Sequence, residues 1–207
     1  VPLLTGEQVG CYFKATPEAR GVWKGKWRPR GSNAAAAHQT GATMHFGHSY
    51  NTYRRCEFPT FDARLVVMPA CDFSDALFDG FNLYDASFDY SKMTRGSLTE
   101  ALATKISFLG AYLERTQMGK TMMQLSDFTL SHLEHANFDD ADLSFAKFGG
   151  AALAEADLNG ALFYGAEANS ADFSYVSAYA ADFTKADLQY ADFSGAYLVN
   201  ATFALAD

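Results

Sequence analysis

An apolar residue recurs every five residues through most of this 207-residue chain. The 27 positions that lie five apart from Phe73 to Phe203 hold twelve Phe, nine Leu, three Met and three Ala. A helix repeats its faces about every 3.6 residues and a strand about every two, so neither buries this series on one side. Internal repetition at a fixed period is instead typical of a solenoid, in which the chain winds into stacked coils.

The neighbours of each apolar centre also repeat. The residue two places before the centre is small and most often alanine, as at Ala136, Ala141, Ala146, Ala151, Ala156 and Ala161. The residue just before the centre is often Asp or Asn, as at Asp142, Asp157, Asp172, Asp182, Asp187 and Asp192. We expect the apolar and the small side chains to point inward at native packing density, and the polar one to face water and bond to turn backbone.

This pattern resembles the A(D/N)LXX motif of the pentapeptide-repeat family. The resemblance runs without a break in register over residues 71–207, and it can be followed weakly through "CEFPT", "FDARL" and "VVMPA" back to about residue 56. It implies an all-β solenoid, a right-handed quadrilateral β-helix in which four pentapeptides make one square coil. Neighbouring coils would pair like strands at about 4.8 Å, so seven coils would make a rod roughly 34 Å long.

A step of twenty residues tests this geometry, because it should bring equivalent side chains of successive coils together. Positions 88, 108, 128 and 148 are all Phe, and so are positions 163, 183 and 203. The sequence therefore predicts a continuous aromatic ladder along one side of the rod.

The end of the rod at "ALAD", residues 204–207, falls partway through a repeat. A bare solenoid end exposes apolar core and unpaired backbone. Three interpretations stay open: the chain continues, this end packs on a partner, or it packs on a second copy as an end-to-end dimer.

Residues 1–50 do not follow the repeat. We predict two regions, an irregular basic N-terminal arm or cap over residues 1–50 and the pentapeptide-repeat β-helix over residues 51–207. The candidate partner-binding residues of the basic arm are Trp23, Lys24, Lys26, Trp27, Arg28 and Arg30. The arm either caps the first coil with its aromatic side chains, docks onto an acidic or membrane-surface partner, or binds nucleic acid, for which a single basic stretch is a weak signal.

Charge is divided unevenly along the chain, whose formal net charge is −8. Residues 1–70 carry nine Lys and Arg against four Asp and Glu, whereas residues 71–207 carry seven against twenty. This asymmetry bears on partners and solubility rather than on the fold.

No constellation of residues is typical of an enzyme. The sequence has no G-x-S-x-G elbow and no paired Cys-x-x-Cys, and Trp27 stands where a phosphate-binding loop needs Ser or Thr. One group is too loose to predict a metal site: His38, His45, His48 and Cys56. The aspartates spread over all four sides, and His132 and His135 are expected to face solvent. We therefore expect a non-enzymatic protein with no metal, no cofactor and no small-molecule substrate.

Cys11, Cys56 and Cys71 lack the spacing of a disulfide framework or a zinc site, although a Cys11–Cys56 bridge could tie down the N-terminal segment. No apolar run approaches the roughly 18–20 residues of a membrane span. A start at Val1 is compatible with a processed N-terminus.

Outward positions on one side of the predicted rod are apolar where their equivalents elsewhere are mostly polar. They are Leu102, Met122, Leu125, Phe145 and Leu162, which we call the apolar strip. An apolar strip on a rigid rod predicts a partner interface. The alternative is that the N-terminal arm or a C-terminal extension of the same chain covers it.

Two functions compete. The preferred hypothesis is a scaffold subunit that docks into a larger protein assembly, such as a photosynthetic complex. The resemblance implies a compartment, because members of the family occur in cyanobacteria and in the thylakoid lumen of chloroplasts. We expect one of these locations, and otherwise the cytoplasm.

The alternative comes from the quinolone-resistance branch of the family, whose acidic rods mimic B-form DNA and bind DNA gyrase. The phosphate mimics would be Asp139, Asp140, Asp142, Asp157, Asp172, Asp182, Asp187 and Asp192. However, columns of residues twenty apart turn acidic only toward the C-terminal half, and cations interrupt them. That is a patch rather than a stripe, and direct nucleic-acid binding is not expected.

Overall fold

The computed structural model of the chain describes residues 28–29, 56–57 and 63–207. Two short strands come first, β1 (Arg28–Pro29) and β2 (Cys56–Glu57). They pair antiparallel, with Arg28 opposite Glu57 and Pro29 opposite Cys56. The rest of the predicted arm lies outside the described residues, and so does the first part of the predicted repeat region except β2.

From residue 63 onward the chain returns beside itself every twenty residues. Parallel bridges join residues twenty apart in four ladders, which start at Val67, Asp72, Leu77 and Asn82. We number the ladders 1 to 4 in that order, and we call each twenty-residue segment a coil. The step of twenty residues predicted from the sequence is confirmed.

Backbone hydrogen bonds hold each coil to the next. The N–H of Phe73 donates to the carbonyl of Lys92 at 2.5 Å, and the N–H of Lys92 donates to the carbonyl of Cys71 at 2.7 Å. The same two bonds recur along the repeats. The N–H and the carbonyl of a bridging residue are therefore both hydrogen-bonded to a neighbouring coil, and neither is left without a partner.

A tight turn separates each pentapeptide from the next. The N–H of Ala76 donates to the carbonyl of Phe73 at 2.9 Å, and Asp75, the third residue of this turn, has a φ of 61°. Every fifth residue from Leu65 to Leu205 has a positive φ, between 54° and 72°. Only six of these corner residues are glycine, so most corners hold a side chain in the left-handed region, which costs an L-residue about 1–2 kcal/mol.

The apolar centres fill the interior, as the sequence predicts. Those from Leu83 to Phe183 are at most 1% exposed. Stacked rings follow one side, with neighbouring centroids 5.7, 5.5 and 4.9 Å apart: Phe88, Phe108, Phe128 and Phe148. A second stack has spacings of 4.8 and 5.0 Å: Phe163, Phe183 and Phe203. The predicted aromatic ladder is confirmed.

One coil has hydroxyl residues where the motif calls for small inward alanines. They are buried, and are Thr116, Thr121, Ser126 and Ser131. The Thr116 hydroxyl donates to the carbonyl of Met93 at 2.9 Å, and that of Ser131 donates to the carbonyl of Phe128 at 2.7 Å. The other two also donate to backbone carbonyls. The departure from the motif therefore leaves no buried hydroxyl without a partner in this coil.

Cys71 is buried and disulfide-bonded. The chain has three cysteines, so Cys71 takes one of the other two as its partner. The bridge between Cys11 and Cys56 that the sequence suggested is therefore wrong, because each cysteine can form only one disulfide.

Burial falls in the last described coil. Leu188, Phe193 and Leu198 are only partly buried, and Phe203 is 37% exposed. Their equivalents one coil earlier, such as Phe173 and Phe183, are completely buried. Stacking on one side rather than two accounts for the difference.

Ala180→Gly should raise the free energy of unfolding by about 1 kcal/mol, because Ala180 is an exposed corner residue with a φ of 55°. Ala152→Gly is the matched control, since Ala152 lies in ladder 2 and outside the positive-φ positions. The control should lower stability by roughly 0.5–1 kcal/mol. Urea unfolding midpoints measure both, and a loss of stability in Ala180→Gly would contradict the corner strain.

Candidate protein-interaction surface

The apolar strip begins with three side chains on ladder 4. Leu102, Met122 and Leu162 are bridging residues of this ladder, and their exposed fractions are 48%, 47% and 41%. A bridging side chain stands outward from the rod between two buried neighbours. The three therefore lie in one line, which Asp142 interrupts.

The other two strip residues occupy the corner that follows ladder 4. Leu125 and Phe145 each have a positive φ, of 61° and 59°, and each is 52% exposed. The corner position holds Lys105 one coil before Leu125 and Gly165 one coil after Phe145. The strip is thus two columns wide, and it faces one side of the described rod.

The ring of Phe145 lies along the rod rather than away from it. A Cβ atom added at Gly165 would lie 2.8 Å from Cε1 of Phe145, so the ring covers the space that this glycine leaves. The same ring meets that of Tyr164 edge-on, with centroids 5.5 Å apart and an angle of 82°. These contacts fix the ring, and they extend the apolar surface toward the next coil.

A lysine marks each end of this corner column. Nζ of Lys105 lies 5.7 Å from the ring centroid of Tyr84. Nζ of Lys185 lies 4.9 Å from the ring centroid of Tyr164 and donates to its hydroxyl at 2.5 Å. Because the two lysines are four coils apart, their corners are separated by about 19 Å.

The acidic residue within the strip is engaged by its neighbours. Asp142 Oδ1 accepts hydrogen bonds from the backbone N–H and the hydroxyl of Ser144, at 3.0 and 2.6 Å. Its Oδ2 accepts one from Nε2 of Gln124 at 2.6 Å. The carboxylate is thereby held down on the rod surface.

The backbone of ladder 4 has nothing to offer a partner at the strip. The N–H of Leu102 donates to the carbonyl of Phe81 at 2.8 Å, and its carbonyl accepts from the N–H of Leu83 at 2.8 Å. Met122 makes the equivalent pair of bonds with Ala101 and Ala103. Leu102 and Met122 can therefore contact a partner only through their side chains.

The basic arm is not placed beside the strip or anywhere else. Its candidate residues lie outside the described part of the chain: Trp23, Lys24, Lys26, Trp27 and Arg30. Of Arg28 the structure gives only the backbone pairing with Glu57. The role of the arm stays a prediction.

Sequence reasoning missed a charged groove along the corner that follows ladder 2. It is open, with a volume of about 590 Å³, and is lined by Lys92, Thr94, Arg95, Tyr112, Glu114, Arg115, Glu134 and His135. Nε of Arg95, one of these residues, donates a hydrogen bond to Oδ1 of Asp75 at 2.7 Å. The ring of His132 stacks on that of Tyr112 with centroids 4.8 Å apart, and His132 and His135 are partly exposed, as expected.

Acidic charge is concentrated in the second half of the described coils. Residues 63–122 hold seven Asp and Glu and six Lys and Arg, whereas residues 123–207 hold thirteen and two. Burial raises the pKa of Asp139, and the nearby charges of Asp157 and Asp140 raise it further. In contrast, two hydrogen bonds from Ser194 lower the pKa of Asp192.

Two further properties of the described residues bear on function. No group of three His, Cys, Asp or Glu side chains in residues 63–207 is arranged to hold a metal ion. Among the same residues, no helix is long and apolar enough to cross a membrane.

A family model for pentapeptide repeats matches the chain in eight copies, over residues 126–153, 136–174, 146–184 and 179–207. These residues are pentapeptide repeats. The four ladders carry the same geometry back to Val67, so the repeat extends beyond the matched residues toward the N-terminus. No curated protein matches the sequence.

Solved pentapeptide-repeat proteins resemble the structure. QnrB1 in a trypsin-treated form, a plasmid-mediated fluoroquinolone resistance protein, aligns with 70% of this chain and 78% of its own at 19% identity and a TM-score of 0.56, which shows a common fold. Two other solved structures align with lower TM-scores. A pentapeptide repeat protein from the Arabidopsis thaliana thylakoid lumen is 30% identical over 44% of this chain and 64% of its own, with a TM-score of 0.44. HetL from the cyanobacterium Nostoc is 20% identical over 74% of this chain and 86% of its own, with a TM-score of 0.27.

The chain therefore spans less than two thirds of the length of the Arabidopsis protein. Solved pentapeptide-repeat proteins form right-handed quadrilateral β-helices, and the four ladders of this chain are consistent with that arrangement. Proteins built from these repeats are generally structural or interaction proteins.

The raised pKa of Asp139 predicts that ionisation of this carboxyl destabilises the folded protein, which is the opposite of the effect of a carboxyl with a lowered pKa. Because the folded state raises this pKa, the folded state binds the proton more tightly, and stability falls as pH rises from the ordinary Asp range through the raised value. Asp139→Asn should therefore unfold at a higher urea concentration than the wild type at pH 7, and the gain should vanish near pH 3.

Asp192→Asn is the matched control, with the opposite sign. The pKa of Asp192 is lowered, so its stabilising effect is present at pH 7 and lost as pH falls. This variant should be less stable than the wild type at pH 7 and equal to it at low pH. Urea midpoints that shift in the same direction for both variants would contradict the assignment.

Proposed function

We propose that residues 63–207 form a right-handed quadrilateral β-helix that serves as a non-enzymatic scaffold, and that the apolar strip docks it into a larger protein assembly. The observation that carries the proposal is the alignment of five apolar side chains, each 41–52% exposed, on one side of a rod whose other outward positions are mostly polar. Exposed apolar patches that are contiguous and rimmed by polar residues mark interaction sites.

The rigidity of the surface supports the same function. The N–H and the carbonyl of Met122 and of Leu162 are both bonded to the preceding coil, and Phe145 is fixed by Gly165 and Tyr164. A surface that is ordered before binding loses little conformational entropy when a partner arrives. A photosynthetic complex is one assembly that the family resemblance suggests.

Mimicry of DNA is the second candidate, and it has weaker support. In ladder 1, Lys147 stands between Asp127 and Glu167 as their bridged neighbour. In ladder 2, four residues without negative charge separate Asp72 from Asp172: Lys92, Tyr112, His132 and Ala152. A continuous double line of phosphates has no counterpart in these ladders, although the acidic second half has the required sign.

The cysteines bear on the compartment. We propose that the chain works where disulfides persist, with the thylakoid lumen as the example that the family resemblance suggests. The disulfide of Cys71 supports this, because cytosolic thiols are normally kept reduced.

Alkylation of the native protein at harvest tests the compartment. With one disulfide among three cysteines, a denatured but unreduced sample should take up one label per chain, and a reduced sample three. Three labels before reduction would place the chain in a reducing compartment and rule out the proposed one.

The docking function is tested by native pull-down from the source organism with three baits. They are the wild type, Leu125→Asp with Phe145→Asp, and a matched control, Tyr90→Asp with Leu130→Asp. The control removes the same kinds of exposed side chain from corner positions with a positive φ on a different side. If the interface is apolar, the wild type should recover one assembly that withstands high salt. The control should recover it equally well, and the strip variant should recover at least tenfold less of it.

A DNA-supercoiling assay with gyrase accompanies the pull-down. Inhibition of supercoiling by the wild type, lost at high salt and unchanged in the strip variant, would replace the scaffold with the DNA mimic. Equal recovery of the assembly by all three baits would refute docking through the strip.

A further inference from the structure

The strip has a lysine at each end and a closed backbone behind it, and these two features restrict its partner. We propose that the strip binds an amphipathic helix that lies along the rod, with apolar side chains over the strip and carboxylates at both ends beside Lys105 and Lys185. This inference rests on the proposed function and names the class of partner that the strip takes.

A β-strand partner is excluded by the backbone. Strand addition needs free N–H and carbonyl groups at a sheet edge. On ladder 4, the N–H and the carbonyl of Leu102 and of Met122 are already bonded to the preceding coil. An added strand would bury its own polar groups without partners, whereas a helix satisfies its backbone internally.

The dimensions also fit a helix. Coils recur at about 4.8 Å, close to the helix pitch of about 5.4 Å, so successive turns of a helix meet successive coils. The strip is two columns wide, which suits side chains at helix positions i, i+3, i+4 and i+7. The separation of about 19 Å between the two lysine corners corresponds to about 13 helical residues.

Charge selects the ends of the helix. Lys105 and Lys185 sit against Tyr84 and Tyr164, so their ammonium groups are held at the ends of the column rather than spread into solvent. Between them, Asp142 is engaged by Ser144 and Gln124 and leaves the centre to apolar contacts. Carboxylates at the ends of the partner would therefore meet cations, and lysines there would be repelled.

Other occupants fit the charges less well. An anionic bilayer would be repelled by residues 123–207, which hold thirteen acidic and two basic residues. The basic N-terminal segment of this chain, with nine Lys and Arg against four Asp and Glu in residues 1–70, would bring cations toward Lys105 and Lys185.

Two synthetic peptides test the proposal by fluorescence anisotropy with the full chain. Both are fluorescein-labelled, lactam-stapled helices of about 18 residues with the same leucine stripe. One peptide carries two glutamates at each end, and the other carries two lysines at each end. The acidic-ended peptide should bind at least tenfold more tightly than its twin.

Four forms of the protein separate the contributions. Leu125→Asp with Phe145→Asp should abolish binding of both peptides, and Tyr90→Asp with Leu130→Asp should leave it unchanged. Lys105→Glu with Lys185→Glu should reverse the preference while the wild-type protein keeps it. Urea midpoints of all variants confirm that each is folded.

The outcomes distinguish this inference from the proposed function. Equal affinity for the two peptides, or a preference that survives the double lysine reversal, overturns the helix partner even if the pull-down stays strip-dependent. Flotation of the wild type, but not of the strip variant, with phosphatidylglycerol-containing vesicles would assign the strip to a lipid surface and overturn it too. If the strip variant changes neither peptide binding nor the pull-down, both proposals fail.

Discussion

Hydrogen bonding between coils is the interaction on which residues 63–207 depend. Each bridging residue gives its N–H to the coil before it and its carbonyl accepts from that same coil, as Lys92 does with Cys71 and Phe73. This pairing holds the step at twenty residues, and the step in turn stacks Phe88, Phe108 and the rings that follow them. The apolar strip is a further result, because Leu102 and Met122 are aligned only while the register is kept.

The interior and the position of the strip could be predicted from the sequence. A period of five with an apolar centre separates inward from outward positions, and a step of twenty assigns each residue to a side. Phe128 and Leu162 illustrate this, since one is buried between two rings and the other is exposed on ladder 4. Both predictions require only knowledge of which residues occupy equivalent positions in successive repeats, and the repeat pattern of the sequence gives that directly.

Contacts between non-equivalent residues could not be predicted. Phe145 meets Tyr164 and covers Gly165, and Lys185 reaches back to Tyr164. These contacts depend on the direction of side chains at corners with a positive φ, which the motif does not specify. The hydroxyls of Thr116 and Ser131 are a second case, because only the structure shows carbonyls within reach of them. The candidate arm residues have no such test, since they lie outside the described part of the chain.

Corner glycines couple the surfaces of neighbouring coils, because most of them accommodate a side chain from the coil before. At five corners a glycine follows, one coil later, a longer side chain that lies where its Cβ would be: Tyr90 and Gly110, Leu130 and Gly150, Asp140 and Gly160, Phe145 and Gly165, and Tyr175 and Gly195. A duplication that copied one coil alone would part some of these side chains from their glycines. A duplicated segment must therefore be longer than one coil to keep such a side chain and its glycine together. Residues twenty apart at these corners should covary during evolution.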